Sequence, residues 1–302
     1  MQVQLAHVAA GPFEPLQPLA ASLAAVAYHH RARTLRRQGR PVAFWRELSF
    51  YAGLVLIVGT LASPIGHIAD ELLFVHMIEH LLIADIGALL IVLGLTGPTL
   101  QPALKLRFFD RLRVLTNPAI ALPLWVVDLY LWHLPVFYEA ALRSSSVHAL
   151  EHAMFIAFGI NMWMPLFGPV PTPRWFGNAA KLGYILAVRL AGALLGNVFI
   201  WSGTTFYSFY ETGEAHWGIS ALKDQGLAGS VMMVEGSILT ICLFAWLFLK
   251  IAREGEERQE LLDLASAHGL ALSEERARRA VEAGQAGELR HRLEETASSD
   301  GR

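Results

Sequence analysis

Residues 71–95 read Glu71-Leu-Leu-Phe-Val-His76-Met77-Ile-Glu79-His80-Leu-Leu-Ile-Ala-Asp85-Ile-Gly87-Ala-Leu-Leu-Ile-Val-Leu-Gly94-Leu95. The run is apolar and long enough to cross a hydrocarbon core of ~30 Å as a single helix. Its polar side chains are grouped: His76, Glu79 and His80 stand at i, i+3 and i+4, which is one face of a helix. The same pattern returns at His148-Ala-Leu-Glu151-His152, at the head of a second apolar run over 147–167. Two such faces in one membrane protein point to a metal site between helices.

The composition agrees with a membrane reading. Of 302 residues, 54% are hydrophobic and 17% charged, against about 25% charged in soluble domains. We expect an all-α, polytopic membrane bundle with seven transmembrane helices over 16–30, 44–63, 71–95, 118–134, 147–167, 180–202 and 225–250. Helices follow because lipid satisfies no backbone polar group, so each segment must satisfy its own. Residues 1–250 are then a membrane domain. Residues 251–302, with 8 Arg and 12 acidic residues, form a charged and partly helical cytoplasmic tail. The net charge of −2, with its basic residues in short loops, offers no nucleic-acid surface; the lipid bilayer is the surrounding partner. Cys242 is the sole cysteine, which excludes an intramolecular disulfide and a Cys-based zinc site.

Basic residues set the expected topology. Arg31, Arg33, Arg36, Arg37, Arg40 and Arg46 fall in the first connection, Lys105, Arg107, Arg111 and Arg113 in the third, and Arg174 and Lys181 in the fifth. The alternate connections hold none in 64–70, then Arg143 and Lys223 singly. Basic loops stay cytoplasmic, so the N-terminus is expected outside and the tail inside. His76, His80, His148 and His152 then lie toward the outer face, as does His133 at the end of the fourth span. His67, His216 and the near-terminal His7 join them, making eight of the twelve histidines. Hydropathy does not require that.

One histidine near an interface is ordinarily a hydrogen-bonded or snorkelling residue. Two i, i+4 pairs and a fifth histidine at one depth favour metal binding, since ionisable groups in a membrane are costly and mark function. Imidazole suits copper, zinc, iron and nickel alike. Glu79 and Glu151 are candidate ligands, or they orient the imidazoles. Met77 and Met154 offer thioethers to copper(I), although methionine is also a common core filler. Asp85, Asp128, Arg189 and Glu235 lie deeper, where an unpaired charge costs at least ~2.5–3.5 kcal/mol. They read as an ion pair around Arg189 or as a proton or ion path. Asp85 is nine residues from His76, about half a turn round the helix, and should not face the same cavity.

The motifs resemble those of the bacterial CtaG family, the seven-span proteins tied to assembly of caa3-type cytochrome c oxidase. The resemblance rests on His76-Met77-x-x-His80, Gly94, Trp132-His133-Leu134-Pro135-x-x-Tyr138-x-x-Ala141-Leu142, His148-Ala149-Leu150-Glu151-His152 and Asp224-Gln225-x-Leu227-Ala228-Gly229, and it covers roughly 40–250. It implies a multi-pass protein of the bacterial plasma membrane that is not an enzyme. It also implies delivery or holding of copper for the oxidase, with oxidase subunits and an extracytoplasmic copper carrier as partners, and self-association as an option. His76, His80, His133, His148 and His152 are the implied metal positions, with Met77, Asp224 and Gln225 behind them. Asp85 and Glu235 depart from the family pattern and read as a compensating change. Three other readings stay open on the residues themselves. His-x-x-Glu-His on a helix is the inverted order of a zinc hydrolase. Haem or a dimetal centre between helices is a second, although the adjacent Glu-His pairs differ from the Glu-x-x-His dimetal pattern. A membrane scaffold with histidines only as packing is the third.

Overall fold

The computed structural model describes residues 16–62, 65–105 and 114–300. His7, Arg107, Arg111, Arg113 and the last residue of the 44–63 run lie outside the described residues. The described residues form helices joined by short connections, with no strand among them. In chain order they form α1 (Leu16–Arg37), α2 (Phe44–Leu61), α3 (Ile65–Ala69), α4 (Leu73–Gly94), α5 (Gly97–Leu104), α6 (Pro118–Trp132) and α7 (Pro135–Arg143). They continue with α8 (Ser145–Phe167), α9 (Asn178–Trp201), α10 (Glu211–Trp217), α11 (Ala221–Ala267), α12 (Glu274–Glu282) and α13 (Ala286–Asp300).

Four helices, α2, α4, α9 and α11, are long and apolar enough to cross a membrane, and the bent pair α6–α7 makes a fifth if it counts as one span. The expected runs over 16–30 and 147–167 are also helical, as α1 and α8, but neither reaches that apolarity. The reason is compositional. α1 continues through His29, His30, Arg31, Arg33 and Arg36, and ends only where Gly39 takes φ 73°, a left-handed conformation that glycine adopts freely. α8 carries His148, Glu151 and His152 in its first turns.

The chain divides into two compact units, Met1–Ile238 and Leu239–Arg302. α11 contributes its first part to one and the rest to the other. In the second unit Leu261, Ala265, Ala277, Val281, Leu289 and Leu293 bury a small core. Arg258 meets Glu274 at 3.6 Å there, and Arg290 pairs with Glu260.

Both histidine motifs lie in the first unit, where α4 is central. Its C-terminal carbonyls are closed by cationic and hydroxyl donors, as a helix C-terminus favours. Arg46 donates to the Leu93 and Leu95 carbonyls at 2.9 Å each, and the Tyr28 hydroxyl donates to the Gly94 carbonyl at 2.9 Å. Directly after His80 the helix widens into a π-helical segment, Leu81–Gly87, a rare turn that shifts the facing of everything beyond it. Gly159 of α8 lies against this segment so closely that a Cβ there would collide with the Ala84 carbonyl. Small residues at such crossings let membrane helices approach backbone to backbone. The Trp163 indole then reaches the Asp85 carbonyl at 3.1 Å, satisfying an acceptor in the widened turn.

The π turn aims the Asp85 side chain at α9. Arg189 donates to it at 2.8 and 3.3 Å and stands 3.8 Å from Glu235, with its guanidinium 5.2 Å from the Trp163 ring. Asp85 and Glu235 thus meet one arginine. Asp128 does not join them; it is buried near Trp132 and within electrostatic reach of Glu151.

Candidate metal centre

The helix bearing the first motif has no capping side chain of its own, because Leu72 precedes it. Asp224, in the first turn of α11, supplies the cap from across the bundle. Its carboxylate accepts the Leu73 N–H at 2.7 Å and the Phe74 N–H at 3.0 Å, satisfying orphan donors and opposing the helix dipole. Gln225 bridges the Phe206 N–H and the Thr204 and Phe199 carbonyls. Neither residue touches a motif histidine; together they hold the frame that sets the height of His76. Charge-assisted bonds to backbone are worth ~1.5–3 kcal/mol each. Asp224→Ala is therefore expected to lower stability by about 2–3 kcal/mol, with Asp224→Asn milder, as read by thermal unfolding in detergent. Equal melting of Asp224→Ala and wild type would refute this role.

His133 is placed by a helix break. Pro135 cannot extend α6, and Leu134 before it takes an extended conformation (φ −69°, ψ 133°), as the residue preceding proline prefers. α6 and α7 consequently bend by 69°. At the break His133 Nδ1 lies 2.7 Å from the Leu129 carbonyl. A carbonyl only accepts, so Nδ1 carries the proton and Nε2 is left with its lone pair. That Nε2 is buried and has no hydrogen-bond partner.

The two motifs meet. His76 and His80 have ring centroids 4.3 Å apart, His148 and His152 4.1 Å apart, and across the helices His76–His148 and His80–His152 are both 5.3 Å. One ligand atom each from His76, His80, His148 and Glu151 lies within 4.8 Å of all the others. Tetrahedral zinc or copper bonds to nitrogen at ~2.0–2.1 Å, so small rotamer changes bring these atoms onto one ion. Both nitrogens of His80, Nε2 of His148 and of His152, and both carboxylate oxygens of Glu151 are buried without a hydrogen bond. His76 makes none of good geometry either, although the Ala69 backbone lies near it. A buried polar group left unpaired costs ~1–3 kcal/mol, and one ion would satisfy four of these atoms at once. The residues fit a metal.

Not every expected position joins the group. Glu79 is buried but turns to a cavity beside the centre. His133 stays one layer behind, its ring about as far from Tyr138, Phe155 and Phe199 as packed rings stand (6.2, 6.1 and 5.9 Å). Met77 packs into an apolar cluster with Leu73, Leu195 and Phe199, and Met154 packs at the edge of the Trp132–Phe155 cluster. The single-motif zinc hydrolase gains no support. The carboxylate that meets His76 and His80 is Glu151 from the other helix, not the Glu79 of their own motif.

Sequence reasoning missed a tyrosine wall. Tyr138 stacks on Tyr207 at 3.9 Å, its hydroxyl meets that of Tyr210 at 2.9 Å, and Tyr207 donates to the His133 carbonyl at 2.8 Å. The Tyr138 ring is 5.4 Å from His76. Only the aromatic density of Phe206-Tyr207-Ser208-Phe209-Tyr210 hinted at it. At the same end, outside the spans, Glu71 accepts from the Trp217 indole at 2.6 Å and contacts His216 at 3.1 Å. The indole bond first, then the histidine, holds the Glu71 carboxyl below its ordinary range. His216 is therefore part of a surface clasp and not of the centre.

Comparison with known proteins gives the context. A stretch of 259 residues is 24% identical to an uncharacterized protein of Mycobacterium bovis, Mb0105, covering 80% of this chain and 39% of that protein. The uncharacterized protein ML1998 of Mycobacterium leprae is 23% identical over 238 residues, covering 73% of this chain and 36% of its own length. The chain thus spans well under half of the curated relatives it matches. No solved structure matches it. The family model described as cytochrome c oxidase caa3 assembly factor (Caa3_CtaG) matches residues 26–254. That match takes in both His-x-x-Glu-His helices, the His133 break and the Asp224 cap, and the chain belongs to this family of cytochrome c oxidase assembly factors.

Proposed function

We propose that the protein is a seven-span factor that binds copper(I) between α4 and α8 and passes it to a nascent oxidase subunit. The observation that carries this is the meeting of His76, His80, His148 and Glu151 within 4.8 Å, three of them buried and His148 half-buried, in a chain of an oxidase assembly family. His152 and His133 stand beside the four as further nitrogens to which an ion can move, which suits a cargo that must leave again. The asymmetry of basic residues supports an orientation with the histidine end outside and the 251–302 segment in the cytoplasm. In that orientation the ion arrives from an extracytoplasmic carrier. The protein acts by holding and exchanging ligands and needs no catalytic base.

The test is metal content. Wild type, His76→Ala and His152→Ala, purified in detergent and loaded with copper(I) under argon, are assayed by mass spectrometry. Wild type should retain copper. His76→Ala should lose it, and His152→Ala should hold it more weakly, while all three insert alike. Unchanged copper in both variants would remove the site.

A further inference from the structure

The centre is buried from most directions. His76, His80 and Glu151 are 0%, 5% and 1% exposed, and the neighbouring wall of Tyr138, Tyr207 and Tyr210 is closed to solvent as well. At the far end, Arg46 caps α4 and Arg31 bonds Pro98 and Gln101 of the next helix, where they would repel a cation. His148 differs from its three partners: its side chain retains 25% exposure. It faces a cavity of about 450 Å³ bounded by the start of α1, the end of α2, the 66–70 segment, α4 and α8. That cavity is lined by His67, Asp70, Glu79, Ser145, His148 and His152 among others, and no lysine or arginine is in its described lining. His152 is 3% exposed, and its Nε2 has no partner. His67 and Asp70 stand at the exposed mouth, and Asp70 is within electrostatic reach of Glu79.

We propose that this cavity is the loading port of the metal centre, with His67 and Asp70 as transient ligands that take a cation at the mouth and hand it to His148 and His152. The proposal rests on the metal-binding reading above and adds to it the route and the residues of acquisition. An ion cannot cross an apolar gap unligated, because bare charge in a low dielectric is prohibitively costly. A graded series of donors removes that cost: carboxylate and imidazole at the mouth, imidazoles along the wall, then the buried set. A cleft lined by one sign of charge also raises the arrival rate of its counter-ion by 10-fold or more. The transfer is ligand exchange alone, with no change in the oxidation state of the ion.

The experiment follows copper(I) transfer from a coloured bathocuproine disulfonate complex to the full-length protein in detergent, by stopped-flow absorbance without oxygen. The double variant His67→Ala/Asp70→Asn should load roughly tenfold more slowly than wild type. Ala62→Trp, which fills the port without altering a donor, should slow loading similarly and reach the wild-type copper content. Wild-type rates in both variants would overturn the port. So would a fall in final copper content of the double variant to the level of His76→Ala, because His67 and Asp70 would then belong to the centre. Wild type that takes no copper at all would instead overturn the metal-binding reading itself, and the port with it.

Discussion

His80→Ala is expected to abolish metal-linked stabilisation while leaving the fold intact. In wild type, copper(I) at one hundred times its dissociation constant should add ~2.7 kcal/mol to the unfolding free energy, a clear rise in melting temperature. In the variant the rise should vanish. The apo comparison is equally informative. A packed core side chain of this size cut to alanine ordinarily costs ~2–5 kcal/mol, but His80 buries two ring nitrogens that nothing in the protein satisfies. Removing them relieves ~1–3 kcal/mol for each unpaired group, so the two effects largely offset. A histidine kept only for packing would behave the other way round, with a destabilised apo protein and no change in the metal response. In cells relying on this variant, cytochrome c oxidase activity should fall about tenfold or more, since even groups that only orient a ligand cost 10- to 100-fold when lost. Full oxidase activity with normal amounts of the variant in the membrane would sink the delivery role.

Arg189→Leu carries the other large effect. It leaves the Asp85 carboxylate, side chain 10% exposed, facing Glu235 with no counter-charge, and strips a cation from the Trp163 face. Breaking a buried pair by removing one partner costs ~3–5 kcal/mol, and an unpaired charge in a span adds an insertion penalty of similar size. The variant should accumulate poorly and unfold at lower temperature or denaturant concentration. Replacing all three groups, as Asp85→Leu/Arg189→Leu/Glu235→Leu, should recover most of the loss, because a well-packed apolar set is often as stable as a buried ionic one. If the single variant melts like wild type, the triad is not a stabilising lock. If the triple variant recovers stability but not copper transfer, the three groups serve the centre as well as the fold.

The groups at stake in these two predictions, the His80 ring and the Asp85 carboxylate that Arg189 holds, lie five residues apart on one helix, and the sequence foretold them unequally. That Asp85 would not face the histidines followed from helical angle alone, and it does not join them. Its partner was legible only as a choice among three carboxylates for Arg189. The π turn over Leu81–Gly87 made that choice, and a π turn leaves no reliable mark in an apolar run. Likewise, the i, i+3, i+4 spacing put His76, Glu79 and His80 on one face, and the chain order put both motifs at one end of the bundle. It could not say which carboxylate would complete the group. Glu151 enters it and Glu79 turns to the port because Gly159 lets α8 seat against Ala84, which sets the rotation of one helix on the other.

What the amino-acid sequence determined by itself is therefore local: helices, apolar runs of membrane length, histidine pairs on single faces, and His133 at the end of a span. These depend on backbone chemistry and periodicity within one segment. The rest needed the tertiary structure: the meeting of three imidazoles and a carboxylate from two helices, the capping of Leu73 and Phe74 by Asp224 some 150 residues away, the tyrosine wall, and the open side at His67 and Asp70. Contacts between helices depend on how far each is rotated and how closely it approaches its neighbour. Those quantities are set by side chains on both partners together and are written in neither segment alone.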